Sequence, residues 1–393
     1  MAKTLLLLGA SSDHLDVIRS LRAAGYRVIT ADPDTSAPAH ARADISIFSI
    51  SAESLLAVAK KERVAGIIAP FSSGAAPVVA QVSAKLKLPA IPLQAAQIMA
   101  SKVRFRDYLT ELQMPHPQTH LIKPGTSLPA SIFDDKQWIL KPDIAGGGRG
   151  LAYIASSSGL KKAMGLTLAA SITGVALLER YLLGQHCLCQ ILVRGGTIQR
   201  SWFIDRIITE PPAIATTGYR SPSKLAHYPR KLATQLLQQL CESMNITDGC
   251  LLAEFVVSEN QVHILELAPK LPGRGALELV RLSAGVDLAA CAGAIAAGET
   301  PDLRPEDDNR AWGLVFLGPS SPGMLKFDLA EAEKLAEEKW IRDLRWFVPQ
   351  DSVIEQGSPL LFAAGRIFVS GRDRDAVDAR VAEVYRRLHI RSV

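Results

Sequence analysis

Apolar positions along this chain switch between two periods, and the switches mark out its elements. Leu5 to Leu8 is a short apolar run ending at Gly9, and Asp13 to Ala24 carries Leu15, Ile18 and Leu21 at helical spacing. Gly25 stops that helix, and Tyr26 to Ala31 predicts a second strand ending in Asp32. Ile45 to Phe48 and Gly66 to Ala69 are further short strands, with a helical stretch from Ala52 to Glu62 between them. Strands separated by single helices predict βαβ units and a parallel sheet. One helix is expected from about Gln94 to Leu112, stopped by Met114-Pro115-His116-Pro117. His120 to Leu183 has short strands and glycine-rich turns, and Gly184 to Gly298 is a larger α/β segment. Within it, Leu251 to Val257 and Gln261 to Leu267 predict a hairpin across the polar turn Ser258-Glu259-Asn260. Glu299 to Arg310 is charged and contains proline, as linkers do; helices follow at Leu329 to Glu338 and Asp375 to Leu388.

Composition narrows the class. The chain has 393 residues, 48% of them hydrophobic, which suffices for a large core and is too apolar for a disordered protein. Lys and Arg number 44 against 39 acidic residues, a net charge of +5 without a long single-sign run, and this predicts neither nucleic acid nor a membrane surface as partner. Cys187, Cys189, Cys241, Cys250 and Cys291 are odd in number and irregularly spaced, which fits a reducing, cytoplasmic setting. No apolar run approaches the ~20 residues of a membrane span. The first strand, turn and helix have the outline of a dinucleotide site, but Gly9-Ala10-Ser11-Ser12-Asp13-His14 has one glycine where three are needed. A sheet domain that shapes part of a cleft is the reading favoured here.

Chemistry concentrates further on. In Trp138-Ile139-Leu140-Lys141-Pro142-Asp143-Ile144-Ala145-Gly146-Gly147-Gly148-Arg149-Gly150 a strand delivers a lysine, and four of the next nine residues are glycine. Such a turn lets backbone N–H groups converge on an anion while the lysine adds charge. At ~4 Å and an effective dielectric of ~20 that charge pair is worth about 4 kcal/mol before desolvation. A flexible linker is the alternative, although Arg149 suits phosphate better. Glu254 shares a strand face with Leu252 and Val256, and Glu266 is expected to share one with Val262 and Ile264. Two carboxylates on apolar faces of one hairpin need cations: a divalent metal, for which Mg²⁺ suits oxygen ligands, or a pair of salt bridges. Lys270 and Arg274 lie in a constrained turn, Ala268-Pro269-Lys270-Leu271-Pro272-Gly273-Arg274-Gly275, suited to an oxyanion or simply to solvent. Glu179 is a further acid on an apolar strand, and Lys102 begins the helix that leads to Pro115.

Taken in order, these segments resemble the ATP-grasp superfamily of carboxylate–amine ligases. Ser101-Lys102, Phe105-Arg106 and Met114-Pro115 are similar to the family's leading helix and proline turn; Lys141 with Gly146, Gly147, Gly148 and Arg149 is similar to its lid loop. Glu179 to Leu182 resembles the adenine hinge, and Glu254 and Glu266 the metal pair. The resemblance implies an α/β (α+β ATP-grasp) fold. Its parts would be a sheet domain over 1–98, a connecting helix and turn over 99–119, a lid over 120–183, a large lobe over 184–300 and a small C-terminal subdomain over 301–393. It implies ATP and Mg²⁺ as cofactors, with Lys102, Lys141 and the glycine loop on the phosphates. Lys270 and Arg274 would act on the transferring phosphoryl group, and His186 would stand where many members bind ribose through Glu.

Departures are confined to Gln185-His186, to Ala268 where Asn is common, and to Lys270 where Arg is common. Thr217 to Ser223 is similar to the substrate loop of amino-acid ligases, which makes Arg206 and Arg220 candidates for a substrate carboxylate. The implied partners are a small-molecule carboxylate and an amine, with a homodimer as the expected assembly. A ribotide carboxylase of the same fold and a non-catalytic ATP-binding regulator are the competing readings.

Overall fold

A computed structural model describes residues 2–134, 136–146, 148–304 and 310–393; Gly147 of the glycine loop lies outside them. The chain opens with β1 (Thr4–Leu8), α1 (His14–Ala23), β2 (Arg27–Ala31), β3 (Ile45–Ile47), α2 (Ala52–Lys61), β4 (Gly66–Ile68) and α3 (Ala76–Leu86). The strands are parallel, in the order β3-β2-β1-β4. Their continuous apolar runs are explained by burial on both faces, Leu5 and Leu7 on one side and Leu6 and Leu8 on the other. The Asp32 carboxylate accepts from the Ala10 N–H at 2.8 Å and the Asp34 N–H at 3.0 Å, closing the Gly9 turn.

The single helix expected from Gln94 to Leu112 is two, α4 (Leu93–Ala100) and α5 (Lys102–Glu111). Ser101 breaks it with extended backbone, and its hydroxyl accepts from the Arg104 N–H, capping α5. Next come β5 (Thr119–Ile122), β6 (Trp138–Pro142), β7 (Ala152–Ile154), α6 (Ser157–Ala170) and β8 (Ala176–Arg180). These strands form an antiparallel sheet in the order β5-β8-β6-β7, with Trp138, Leu140 and Leu178 packed under α6.

The remaining elements are β9 (Gln185–Arg194), β10 (Thr197–Ile208), β11 (Thr216–Ser221), α7 (His227–Ser243), β12 (Gly249–Ser258), β13 (Gln261–Ala268), α8 (Ala276–Ala284), α9 (Leu288–Ala296) and β14 (Ala311–Leu317). After them run β15 (Gly323–Lys326), α10 (Leu329–Ala336), β16 (Ile341–Trp346), β17 (Val353–Ile354), α11 (Leu360–Ala363), β18 (Gly365–Gly371), α12 (Arg374–Leu388) and β19 (Arg391–Ser392). Eight of these strands make one antiparallel sheet, β13-β12-β9-β10-β11-β14-β18-β16, and β15, β17 and β19 make a small one. The boundary expected at residue 300 therefore falls inside a continuous sheet, because β11 pairs β14.

One face of the large sheet, bearing Leu188, Ile204, Leu252, Leu314 and Phe368, packs with α8, α9 and the N-terminal domain. The other face packs under α7 through Cys189, Phe203 and Phe255, and under α12 through Val315 and Ile367. The β12–β13 turn is tighter than expected, with only Glu259 and Asn260 in left-handed backbone between the strands. Among the described residues no single helix is long and apolar enough to cross a membrane.

Candidate active site

The β12–β13 hairpin carries the paired acids, and an irregularity in it decides where they point. Strict alternation places Glu266 with Val262 and Ile264. The ladder departs from that: Glu254 lies opposite Glu266, but Phe255 lies opposite Ile264, so Leu265 is an extra residue on β13. Val262 and Ile264 face the core under α7, whereas the bulge turns Glu266 onto the face of Glu254, Leu252 and Leu188. The bulge also leaves the Leu265 carbonyl to accept from Arg106 Nη2 at 2.6 Å.

Cations close around the two acids. Lys270 Nζ lies 2.5 Å from Glu266 Oε1 and 4.0 Å from Glu254 Oε1. Arg206 donates from Nη1 to Glu254 Oε2 at 2.9 Å and from Nε to Thr216 Oγ1 at 2.8 Å. These side chains keep between 17% and 28% of their surface, enough for a ligand to reach them. Burial pushes the Glu266 carboxyl up, but Lys270 and Lys102 outweigh it and hold it below the usual carboxylate range. Lys102 is pulled below the usual lysine range by burial, with Lys141 and Lys270 adding like-charge repulsion. Three lysines from a helix, the lid sheet and a turn thus share one electrostatic neighbourhood that an anion would relieve.

Behind them lies a second, dry cluster. Glu179 on β8 is 1% exposed, and its two oxygens take Arg106 Nε and Lys141 Nζ, each at 2.7 Å. Burial raises this carboxyl too, yet Arg106 and Lys141 bring it down to about 2. The Glu179 side chain, expected at an adenine hinge, has each oxygen in an ion pair, one with Arg106 and one with Lys141. Arg106 went unassigned in the sequence. Its one signal is a buried arginine between Phe105 and Leu109 on the inner side of α5. Leu182 stands just beyond, at the half-buried link to β9.

Asp143 couples the helix to the glycine loop. It accepts from Ser101 Oγ at 2.7 Å, the Val103 N–H at 3.0 Å and Thr173 Oγ1 at 3.0 Å, while its carbonyl accepts from Lys102 Nζ at 3.1 Å. Gly146 and Arg149 are exposed, and Arg149 Nε donates to the Gly146 carbonyl at 3.3 Å, so the structure does not bring Arg149 to the lysines. Gly148 has the left-handed backbone that lets this loop turn back.

Of the pair Gln185-His186, Gln185 points away and donates to Asp205 at 2.8 Å. His186, opposite Val256, is on the site's face; its Nε2 is buried without a partner. Burial, with help from Arg206 and Lys141, brings its pKa to about 4, leaving a neutral imidazole.

Arg220 is a correction. It pairs with Asp205 across β10–β11, on the face under α12, and its guanidinium meets Asp378 at 3.2 Å and the Leu314 carbonyl at 3.2 Å. Its neighbour Tyr219, opposite Arg206, points at the site and feels Glu254, Lys270 and Arg274. Strand parity makes that exchange, and parity cannot be read before pairing is known. Arg274 is exposed at the rim in left-handed backbone, its guanidinium 4.4 Å from the centre of the Phe316 ring. The Leu271 N–H donates to the Pro70 carbonyl at 2.7 Å, which seats this turn against the N-terminal domain.

Two carboxylates directly opposed across a ladder have Cβ atoms ~5 Å apart and can share one hard cation. Among the described residues no third His, Cys, Asp or Glu joins Glu254 and Glu266, so the pair offers a hard cation two carboxylates and leaves its other positions to a ligand's oxygens. Residues 99–274 match the ATP-grasp domain family. The chain carries an ATP-grasp domain. All three lysines and both glutamates of the cluster fall inside it. The whole fold is similar to L-amino acid ligase from Bacillus licheniformis, with TM-score 0.78, 16% identity, and 100% of this chain and 99% of that one covered. It is also similar to phosphoribosylglycinamide synthetase from Anaerococcus prevotii (0.73, 14%, all of both chains). N5-carboxyaminoimidazole ribonucleotide synthetase from Thermotoga maritima is a third (0.72, 15%, all of both chains). At these identities the likeness is one of fold, and the ATP-grasp match itself spans residues 99–274.

Proposed function

We propose that the ATP-grasp domain makes this chain an ATP-dependent ligase that joins a carboxylate, an amino acid or peptide-like acid, to an amine. The reaction runs through an acyl phosphate and releases ADP and phosphate. The observation that carries it is the convergence of Lys102, Lys141 and Lys270 on the opposed pair Glu254 and Glu266. Lys102 and Lys141 bind the polyphosphate, and the glycine loop, through Gly146 and Gly148, covers it with Arg149 at its edge. His186, neutral and unpartnered, hydrogen-bonds the ribose, and Leu182 lines the adenine side. A Mg²⁺ ion held by Glu254 and Glu266 supplies charge neutralisation at the transferring phosphoryl group. Ala268 is fully buried and has no ligating atom, which supports one metal ion rather than two.

The acid's carboxylate oxygen attacks the terminal phosphorus and ADP leaves. The amine then attacks the acyl carbon and phosphate departs, while the closed loop keeps water out. Lys270 faces the transferring group; Arg274, expected beside it, is exposed at the rim on the Phe316 ring and so joins Arg206 in facing the acid. The five unpaired cysteines support a reducing, cytoplasmic setting, with Cys187 and Cys241 pushed up to about 12 by burial.

An ADP-release screen over acid and amine pairs with Mg²⁺ tests the reading. ADP, not AMP, is expected, and only when both partners are present. Glu266→Gln should lower turnover by about 10²–10³, the scale of losing one electrostatic contact to the transition state. Full turnover in that variant would remove Glu266 from the metal site. Release driven by ribotides but not by amino acids would replace the amino-acid reading with a carboxylase of the same fold.

A further inference from the structure

The face of the large sheet that carries Glu254 and Arg206 continues onto strands beyond the matched domain. Phe316 on β14 lies opposite Arg366 on β18, which lies opposite Arg345 on β16. Alternation fixes the side: Phe316 and Phe368 belong to the cluster of Leu188 and Leu252, whereas Val315 and Ile367 face α12. Arg274 reaches this row from the turn before α8. Its guanidinium sits 4.4 Å from the centre of the Phe316 ring, and that of Arg366 sits 5.5 Å from the centre of Phe368. Two phenyl rings on neighbouring strands therefore seat two arginines. Gly275 joins them: a Cβ there would lie 3.3 Å from Phe368 Cζ and 3.4 Å from Arg366 Nη1.

Arg366 is incompletely satisfied, and Arg274 has no protein counter-charge among the described residues. Among the described residues no carboxylate pairs with Arg274 or Arg345, and Arg366 has only Asp343, with Nη2 to Oδ2 at 3.4 Å. The Nε of Arg366 is buried without an acceptor. A guanidinium stacked on a ring keeps its planar fork of donors free for a two-oxygen anion. A buried donor without an acceptor is unfavourable until a ligand supplies one.

We propose that Arg274 and Arg366 form an oxyanion subsite beside the reacting centre, selecting a substrate with a second acidic group. That group is a carboxylate or a phosphate monoester carried in addition to the group that reacts. Phe316 is the positioning residue that holds Arg274 in place. The inference rests on the ligase reading and adds to it the charge class of the substrate.

The test is titration calorimetry on the full chain, with Mg²⁺ and a non-hydrolysable ATP analogue present. The probes are matched pairs: L-aspartate and L-asparagine, L-glutamate and L-glutamine, O-phospho-L-serine and L-serine. At least one charged probe should bind ten-fold or more tightly than its neutral partner. Preference for the dicarboxylates identifies a carboxylate ligand, and preference for phosphoserine a phosphate. Arg366→Met and Phe316→Leu should each cut that preference below three-fold without weakening the neutral probes. Equal binding of charged and neutral partners overturns the proposal, as does a preference that survives both substitutions, or no binding by any probe. Calorimetry needs no turnover, so a charge preference in a protein that releases no ADP with any pair would sink the ligase reading and keep the subsite.

Discussion

Two ion clusters in this protein use the same residue types on neighbouring strands, and burial sets them to different tasks. In the first, Glu179 is 1% exposed and each oxygen is taken by its own cation, Arg106 or Lys141. That triad ties α5, β6 and β8 together and leaves no oxygen for a ligand. In the second, Glu254 and Glu266 are about a fifth exposed and share Lys270 between them. Their pairs can be exchanged for another cation without opening the core. A carboxylate inside a saturated dry cluster works as an anchor, whereas one at the edge of water works as a site that can be loaded.

The contrast breaks if the two clusters respond alike to the same chemical change. Glu179→Gln leaves Arg106 buried without its counter-charge and should cost about 3–5 kcal/mol in urea denaturation. Glu266→Gln, at a wetter pair, should cost about 1 kcal/mol or less. Acid titration sharpens the point. The Glu179 carboxyl titrates at about 2 when folded and at its ordinary 4.5 when unfolded. Its stabilisation is fully present above 4.5 and is lost as pH falls through the folded value, on the order of 3 kcal/mol in all. Stability measured between pH 5 and pH 2 should fall less steeply in Glu179→Gln than in the native chain. A similarly small effect belongs to Ser101, which caps α5 and donates to Asp143. Ser101→Ala should cost about 1 kcal/mol and weaken ATP binding a few-fold, because it loosens the link that sets Lys102 over the loop.

Much of the N-terminal domain is legible from apolar periods alone, since buried parallel strands read as unbroken runs. The glycine loop and the carboxylate pair are legible as chemistry. What escapes the sequence is parity and long-range pairing. Glu266 reaches the right face only through the bulge at Leu265, against simple alternation. Arg220 and Tyr219 trade places because β11 has one side for the site and one for α12. Arg106 hides inside a helix whose partner, Glu179, lies 73 positions away. The break at Ser101 has a local signal, a serine able to cap the next helix, but its bond to Asp143, 42 positions on, has none. Phe316 and Arg366 meet through a strand ladder, and their separate segments carry no mark of it.

The unbroken sheet has a practical consequence for anyone who treats this chain as a set of interchangeable parts. The segment that matches the ATP-grasp domain ends at residue 274, yet β14, β18 and β16 follow it and complete the same ladder. Cut out alone, that segment would present β11 as a bare edge, ready to hydrogen-bond with another molecule. Grafts made at its borders should aggregate, and chimeras that exchange everything after residue 98 as one piece keep the ladder whole. The stretch that matches the family is shorter here than the stretch that must fold together.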